Sequence, residues 1–269
     1  MITRKIDSII EHFYEEDNKA LLIDGARQVG KTYSIRNFGN KHFESFIEIN
    51  FVKTPEAIDI FKKAADSDSI LLRLSAFTDK PLIKGKTLIF FDEVQKCPEI
   101  VTAIKFLVDE GSYRYILSGS MLGVELKGLS SAPVGYMDIM EMYPIDFKEF
   151  IGALGVSSRI LDMLHQCFND RTMIDEVIHS RLMQLFRLYL VVGGMPAAVQ
   201  KYLDTHDLRE VMNEQLAILK LYKLDISQYD PNKKLYLDDI FDLIPSELNA
   251  KNKRFILKNL NENMKFSRY

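Results

Sequence analysis

The sequence predicts an α/β fold built on a parallel sheet with helices on both faces. Two observations carry this reading. Short apolar runs of strand type alternate with helical patterns over the first 120 residues, and one of those runs leads straight into a glycine-bounded loop followed by a helix-permissive segment. The runs are residues 20–24 (ALLID), 46–51 (FIEINF), 87–92 (TLIFFD) and 113–118 (YRYILS). Between them, residues 98–110 place Ile100, Ile104, Leu107 and Val108 on one face at helical spacing. Pro55 opens another helical segment as a first-turn proline, with Ile58 and Phe61 facing inward.

The character changes after Tyr143-Pro144. Residues 146–154 read as a short helix and residues 157–222 almost wholly as helix, broken by Gly193-Gly194-Met195-Pro196. From residue 230 two further helices are expected, 237–243 and 246–260, with a turn at Pro245. The expected division is therefore an α/β domain at 1–155, a helical domain at 156–229 and a third piece at 230–269.

Composition narrows the class. With 47% hydrophobic and 27% charged residues, the 269-residue chain can bury one medium core or two smaller ones. A net charge of −3 predicts no general pull toward nucleic acid or anionic membrane. The stretch 251–269 is an exception: Lys251, Lys253, Arg254, Lys258, Lys265 and Arg268 stand against Glu262 alone, which reads first as a solvated helix face. Cys97 and Cys167 form neither a metal motif nor a disulfide framework, so a reducing, cytoplasmic setting is expected. The N-terminus has no apolar signal region, and no run of about 18 apolar residues could span a membrane.

The loop is Gly25-Ala26-Arg27-Gln28-Val29-Gly30-Lys31-Thr32, which fits the Walker A pattern G-x-x-x-x-G-K-[ST] in full. Its glycines let the backbone wrap phosphate oxygens, and the helix after it aims its first amides at the same anion. Lys31 is expected on the β- and γ-phosphates of ATP, and the Thr32 hydroxyl on Mg²⁺. The nucleotide-binding candidates run from Gly25 through Tyr33, with Arg27 and Gln28 reading equally well as surface residues. Sixty residues on, four apolar residues end in Asp92-Glu93, a Walker B pattern at the carboxyl end of a buried strand, where ligands of parallel sheets sit. Asp92 is expected to hold the Mg²⁺ shell and Glu93 to act as general base toward water. The next strand ends Leu117-Ser118-Gly119-Ser120, which makes Ser118 and Ser120 candidates for contact with the γ-phosphate or the attacking water, or merely members of a small-residue turn.

These residues resemble the AAA+ superfamily, and more closely the prokaryotic ATPases that join an AAA-type domain to a C-terminal domain of unknown function. Besides the loop, the resemblance rests on Phe91-Asp92-Glu93-Val94-Gln95, Leu117-Ser118-Gly119-Ser120, residues 141–150 (EMYPIDFKEF) and Val192-Gly193-Gly194-Met195-Pro196. It implies a five-stranded parallel core of order 5-1-4-3-2, a helical lid, a winged-helix-like segment and a further domain beyond Tyr269. Relatives carry a Gly-Arg pair near residues 130–135 where this chain has Pro133-Val134-Gly135, so no arginine acting on the γ-phosphate transfers there; Arg114 and Arg187 are the remaining candidates. The function expected is Mg²⁺-dependent ATP hydrolysis coupled to lid movement, slow in isolation, with a protein client as partner. Two alternatives stand beside it: a nucleotide switch or regulator that binds DNA through a helix-turn-helix around 246–260, and a P-loop kinase for a small acceptor.

Overall fold

The strands form where β-branched and aromatic residues cluster, and the sheet they build is buried on both sides. The computed structural model describes residues 2–62, 66–119, 135–229 and 234–249. Five strands, β1 (Ala20–Asp24), β2 (Ser45–Asn50), β3 (Thr87–Asp92), β4 (Arg114–Ser118) and β5 (Met137–Glu141), pair in parallel in the order β2-β3-β4-β1-β5. Read from the other edge this is 5-1-4-3-2, the order expected. Four strands were expected from their apolar runs. The fifth, MDIME, escaped that reading because it is a half-exposed edge strand in which only Met137 is buried.

Alternation along each strand divides the core in two. Leu22, Ile89, Phe91, Tyr115 and Leu117 face α3 (Ser67–Phe77), α4 (Glu99–Glu110) and a 3₁₀ turn at Pro55–Ile60. Leu21, Ile23, Leu88, Phe90 and Ile116 face α1 (Lys5–Glu16) and α2 (Lys31–His42). Phe91 stacks on Tyr115 and Phe51 and meets the edge of Phe61, so the centre of the first layer is aromatic. Pro55 does open a helical turn, but of 3₁₀ type. Cys97 is buried in this layer, where desolvation pushes its thiol up to about 12, and neither cysteine is bridged.

Beyond the sheet come α5 (Phe147–Ala153), α6 (Ser158–Asp170), α7 (Glu176–Val192) and α8 (Pro196–Thr205). The chain divides after Asp204 into two compact units, so α5 to α8 belong with the sheet. In the second unit α9 (Leu208–Tyr229) packs on α10 (Lys234–Asn249), with an ion pair between Lys223 and Asp242. Pro245 makes no turn: it lies inside α10. A proline there forgoes one backbone hydrogen bond, yet Phe241, Ile244 and Pro245 together face Leu216 and Leu219 of α9 across an apolar groove, and the helix continues. The described residues thus form one helix where two helices and a turn of a winged-helix segment were expected, and residues 250–269 lie outside the described part. No described helix is long and apolar enough to cross a membrane alone; α7 and α8 together pass by length and composition but are bent by 119°.

Candidate functional site

The loop between β1 and α2 owes its shape to three residues with positive φ: Gly25 at 146°, Gln28 at 65° and Gly30 at 102°. At Gly25 the reason is also contact. A Cβ there would stand 2.2 Å from the Met142 carbonyl oxygen, while the Met142 amide donates to the Asp24 carbonyl at 2.7 Å. Inside the loop, Lys31 Nζ donates to the carbonyls of Gly25 and Ala26 at 2.7 and 2.9 Å. Burial lowers the pKa of this ammonium, against the opposing pull of Glu93, then Asp24, then Asp92. The ammonium thus rests on the loop carbonyls at the mouth of the loop, where an anion's oxygens can take their place.

Asp92 closes the other side. It ends β3 on the face that carries Leu88 and Phe90, the face toward α2, because side chains two apart share a face. Its neighbours in register are Asn50 on β2 and Ser118 on β4. Three parallel strands therefore end in one polar row. Asn50 Nδ2 donates to Asp92 Oδ2 at 2.8 Å, the Ser118 hydroxyl donates to Oδ1, the Glu93 amide donates to Oδ1 at 3.1 Å, and Thr32 Oγ1 lies 3.4 Å from Oδ2. Asp92 is 5% exposed, and both of its carboxylate oxygens accept hydrogen bonds.

The structure brings together Arg27, Gln28, Gly30, Lys31, Thr32 and Tyr33 with Asp92, Glu93, Ser118 and Gly119 around one cleft of about 460 Å³. Ala26 sits in the loop with an exposed side chain, and Val29 is turned into the core, so its contribution to a ligand is through the backbone. The Ser118 hydroxyl is spent on Asp92. Ser120 lies outside the described residues. Neither arginine candidate reaches the cleft: Arg114 starts β4, at the end of the strand opposite Ser118, near the half-buried Tyr14, and Arg187 is exposed on α7.

Two residues had escaped the sequence. Asn50 ends an apolar run, and only the register of β2 on β3 shows its partner. Arg4, four residues into the chain, is buried and donates through Nη1 to the Val29 carbonyl at 2.9 Å, through Nη2 to the Tyr143 carbonyl at 2.7 Å and through Nε to Glu149 at 3.1 Å. Glu149 in turn completes a capping box with Asp146 at the start of α5.

A second, mostly apolar cavity of about 380 Å³ adjoins the loop, lined by Ile2, Tyr33, Ile145, Pro196, Ala197 and Gln200 among others. A cavity of that character can accept an apolar or aromatic group. Gly194 ties two of its lining segments, at Ile145 and Pro196, together. The Ile145 amide donates to the Gly194 carbonyl at 2.7 Å, the Tyr189 phenol donates to the Ile145 carbonyl at 2.8 Å, and a Cβ on residue 194 would stand 2.3 Å from that same carbonyl oxygen. Gly194→Ala is therefore expected to destabilise the protein by about 1–3 kcal/mol and to weaken nucleotide binding as the first turn of α8 moves. Denaturant unfolding with a nucleotide titration checks it; an unchanged midpoint would rule out the close approach.

A magnesium ion suits the residues present. Among the described residues no cluster of three or more His, Cys, Asp or Glu could cage a metal. One carboxylate beside one hydroxyl, Asp92 and Thr32, is the sparse protein share that Mg²⁺ takes when phosphates and waters complete its shell.

The chain is 26% identical over 200 residues to the uncharacterized protein MJ1544 of Methanocaldococcus jannaschii, a match covering 74% of this chain and 40% of that one. It thus spans about two fifths of the length of that curated relative. Among solved structures, the Walker-type ATPase PABY2304 of Pyrococcus abyssi superposes with a TM-score of 0.48 at 15% identity, over 93% of this chain and 78% of that chain. AMPPCP-bound DnaA from Aquifex aeolicus gives 0.45 at 16%, over 96% and 81%. Residues 183–269 match a domain of unknown function. With residues 17–151, half of its length, matching the AAA domain family over the loop, the acidic pair and the five strands, the chain belongs to that family, an AAA-type domain followed by a domain of unknown function.

Proposed function

We propose that this protein binds ATP with Mg²⁺ and hydrolyses it. The observation that supports the reading is the convergence of Lys31, Thr32, Asp92 and Glu93 on one cleft at the carboxyl edge of the sheet. The loop amides and Lys31 take the β- and γ-phosphates. Thr32 and Asp92 would hold the metal, which when bound would neutralise phosphate charge. Glu93 accepts a proton from a water molecule, whose oxygen attacks the γ-phosphorus as the bond to the bridging oxygen of the leaving ADP breaks. The apolar cavity beside Tyr33 takes the adenine.

We further propose that, of the helical segment expected at 156–229, the part within the first unit, α6 to α8, acts as a lid, and that nucleotide occupancy moves it. What supports this is that Pro196, Ala197 and Gln200 of α8 line the base cavity, while Gly194 ties the start of α8 to the Ile145 backbone. Hydrolysis would loosen the loop and pass through Met142–Ile145 to that tie.

Phosphate release from ATP tests the reading. It should require Mg²⁺, and Glu93→Gln should lower it about 100-fold while leaving ATP affinity within about twofold, the range for losing a general base. Turnover by Glu93→Gln at the parent rate would sink the assignment of the base.

A further inference from the structure

Glu93 follows β3 in the left-handed region, with φ 60° and ψ 45°. Few non-glycine residues sit there, and they do so where the surroundings dictate it. The turn throws the Glu93 carboxylate toward the loop, where it is the strongest of the acidic influences on Lys31. It would therefore be drawn onto the Lys31 ammonium, a collapse that would occupy both groups. The structure shows a different partner. Gln95, two residues on in the 3₁₀ turn Val94–Lys96, donates from Nε2 to Glu93 Oε2. Its other end lies close to the chain after β4: Oε1 lies 3.1 Å, and Val94 Cγ2 3.3 Å, from where a Cβ on Gly119 would stand, so the bare backbone there leaves the amide room. Gln95 does not itself line the cleft.

We propose that Gln95 is a positioning residue for hydrolysis, its side-chain amide holding the Glu93 carboxylate in line for water and off Lys31, in room that Gly119 leaves for it. This rests on the reading of Glu93 as the general base. The amide offers what a base needs from a neighbour: a donor for one carboxylate oxygen that leaves the other for the proton, and no charge of its own to compete with the phosphates.

The test is phosphate release and ATP affinity for the parent and for Gln95→Ala, Gln95→Glu, Glu93→Gln and the double variant Gln95→Ala/Glu93→Gln. Gln95→Ala should lower kcat by about 10- to 100-fold with ATP affinity within about twofold. Gln95→Glu has the same shape and fills the same space but carries no donor, so it should lose at least as much; parent-like turnover would show that Gln95 only packs against Gly119 and would overturn the proposal. In the Glu93→Gln background Gln95→Ala should have no further effect, because nothing remains to position. An equal loss in both backgrounds would mean that Gln95 does not act through Glu93, and overturns it too. The failure of the underlying reading is separate and visible: a parent that releases no phosphate, or a Glu93→Gln variant as fast as the parent, removes the base and the proposal with it.

Discussion

Lys31→Ala should lose ATP. Its Nζ stands among the carbonyls of Gly25 and Ala26, inside the ring of loop amides where the β- and γ-phosphates belong. Charge-assisted hydrogen bonds contribute about 1.5–3 kcal/mol each. Two of them removed amount to about 3–6 kcal/mol, or a loss of about 100- to 20,000-fold in affinity. The folded state should hardly notice: the loop carbonyls that lose the ammonium are near the surface, where water replaces it. Titration with a fluorescent ATP analogue, beside a thermal melt of the nucleotide-free protein, separates the two. Binding within about threefold of the parent would show that the loop does not grip phosphate.

Much of this site was legible because its parts are local. The loop and the helix it feeds are contiguous, and the pattern of Gly25, Gly30, Lys31 and Thr32 encodes its own geometry. The Asp92 placement was legible for a second reason: period-two alternation puts it on the face of Leu88 and Phe90, and a buried parallel strand has only one end at which a carboxylate can meet a ligand. Asn50 was hidden by the same rule. It shares the face of Phe46 and Glu48, but its role exists only once β2 is paired with β3 in register, and one sequence does not state a register.

The expectations that went astray each followed from treating a local signal as decisive. Pro245 reads as a turn, and proline does weaken a helix interior; packing of α10 against α9 overrides it. Arg114 is an arginine on the strand that carries Ser118, but the two are its opposite ends, roughly 13 Å apart at about 3.3 Å per residue step. A sequence gives which strand an arginine belongs to more readily than which end of it faces a ligand. The fifth strand was missed because an edge strand needs only one buried face, and MDIME spends most of its side chains on solvent.

Arg4 was the least legible residue of all, and its removal should be the costliest to stability. No motif marks it; it becomes meaningful when residues 29, 143 and 149 converge on it. Its side chain and that of Glu149 are each 7% exposed. The guanidinium satisfies two backbone carbonyls and a carboxylate in one plane, and that carboxylate also accepts the amides of Lys5 and Asp146. Arg4→Ala strands a buried carboxylate and two carbonyls, so a loss of about 3–5 kcal/mol is expected in denaturant unfolding. Arg4→Lys should recover only part of this, since a single ammonium cannot reach three acceptors set at the corners of a fork. Arg4→Ala/Glu149→Ala should be milder than the sum of the two single changes, because the pair is then removed together. ATP affinity should fall with Arg4→Ala even where the chain stays folded: Val29 is the loop residue turned into the core, and its carbonyl is what Arg4 holds. A variant within about 1 kcal/mol of the parent would mean that the three-way contact is not formed, and that the loop takes its shape from Gly25 and Met142 alone.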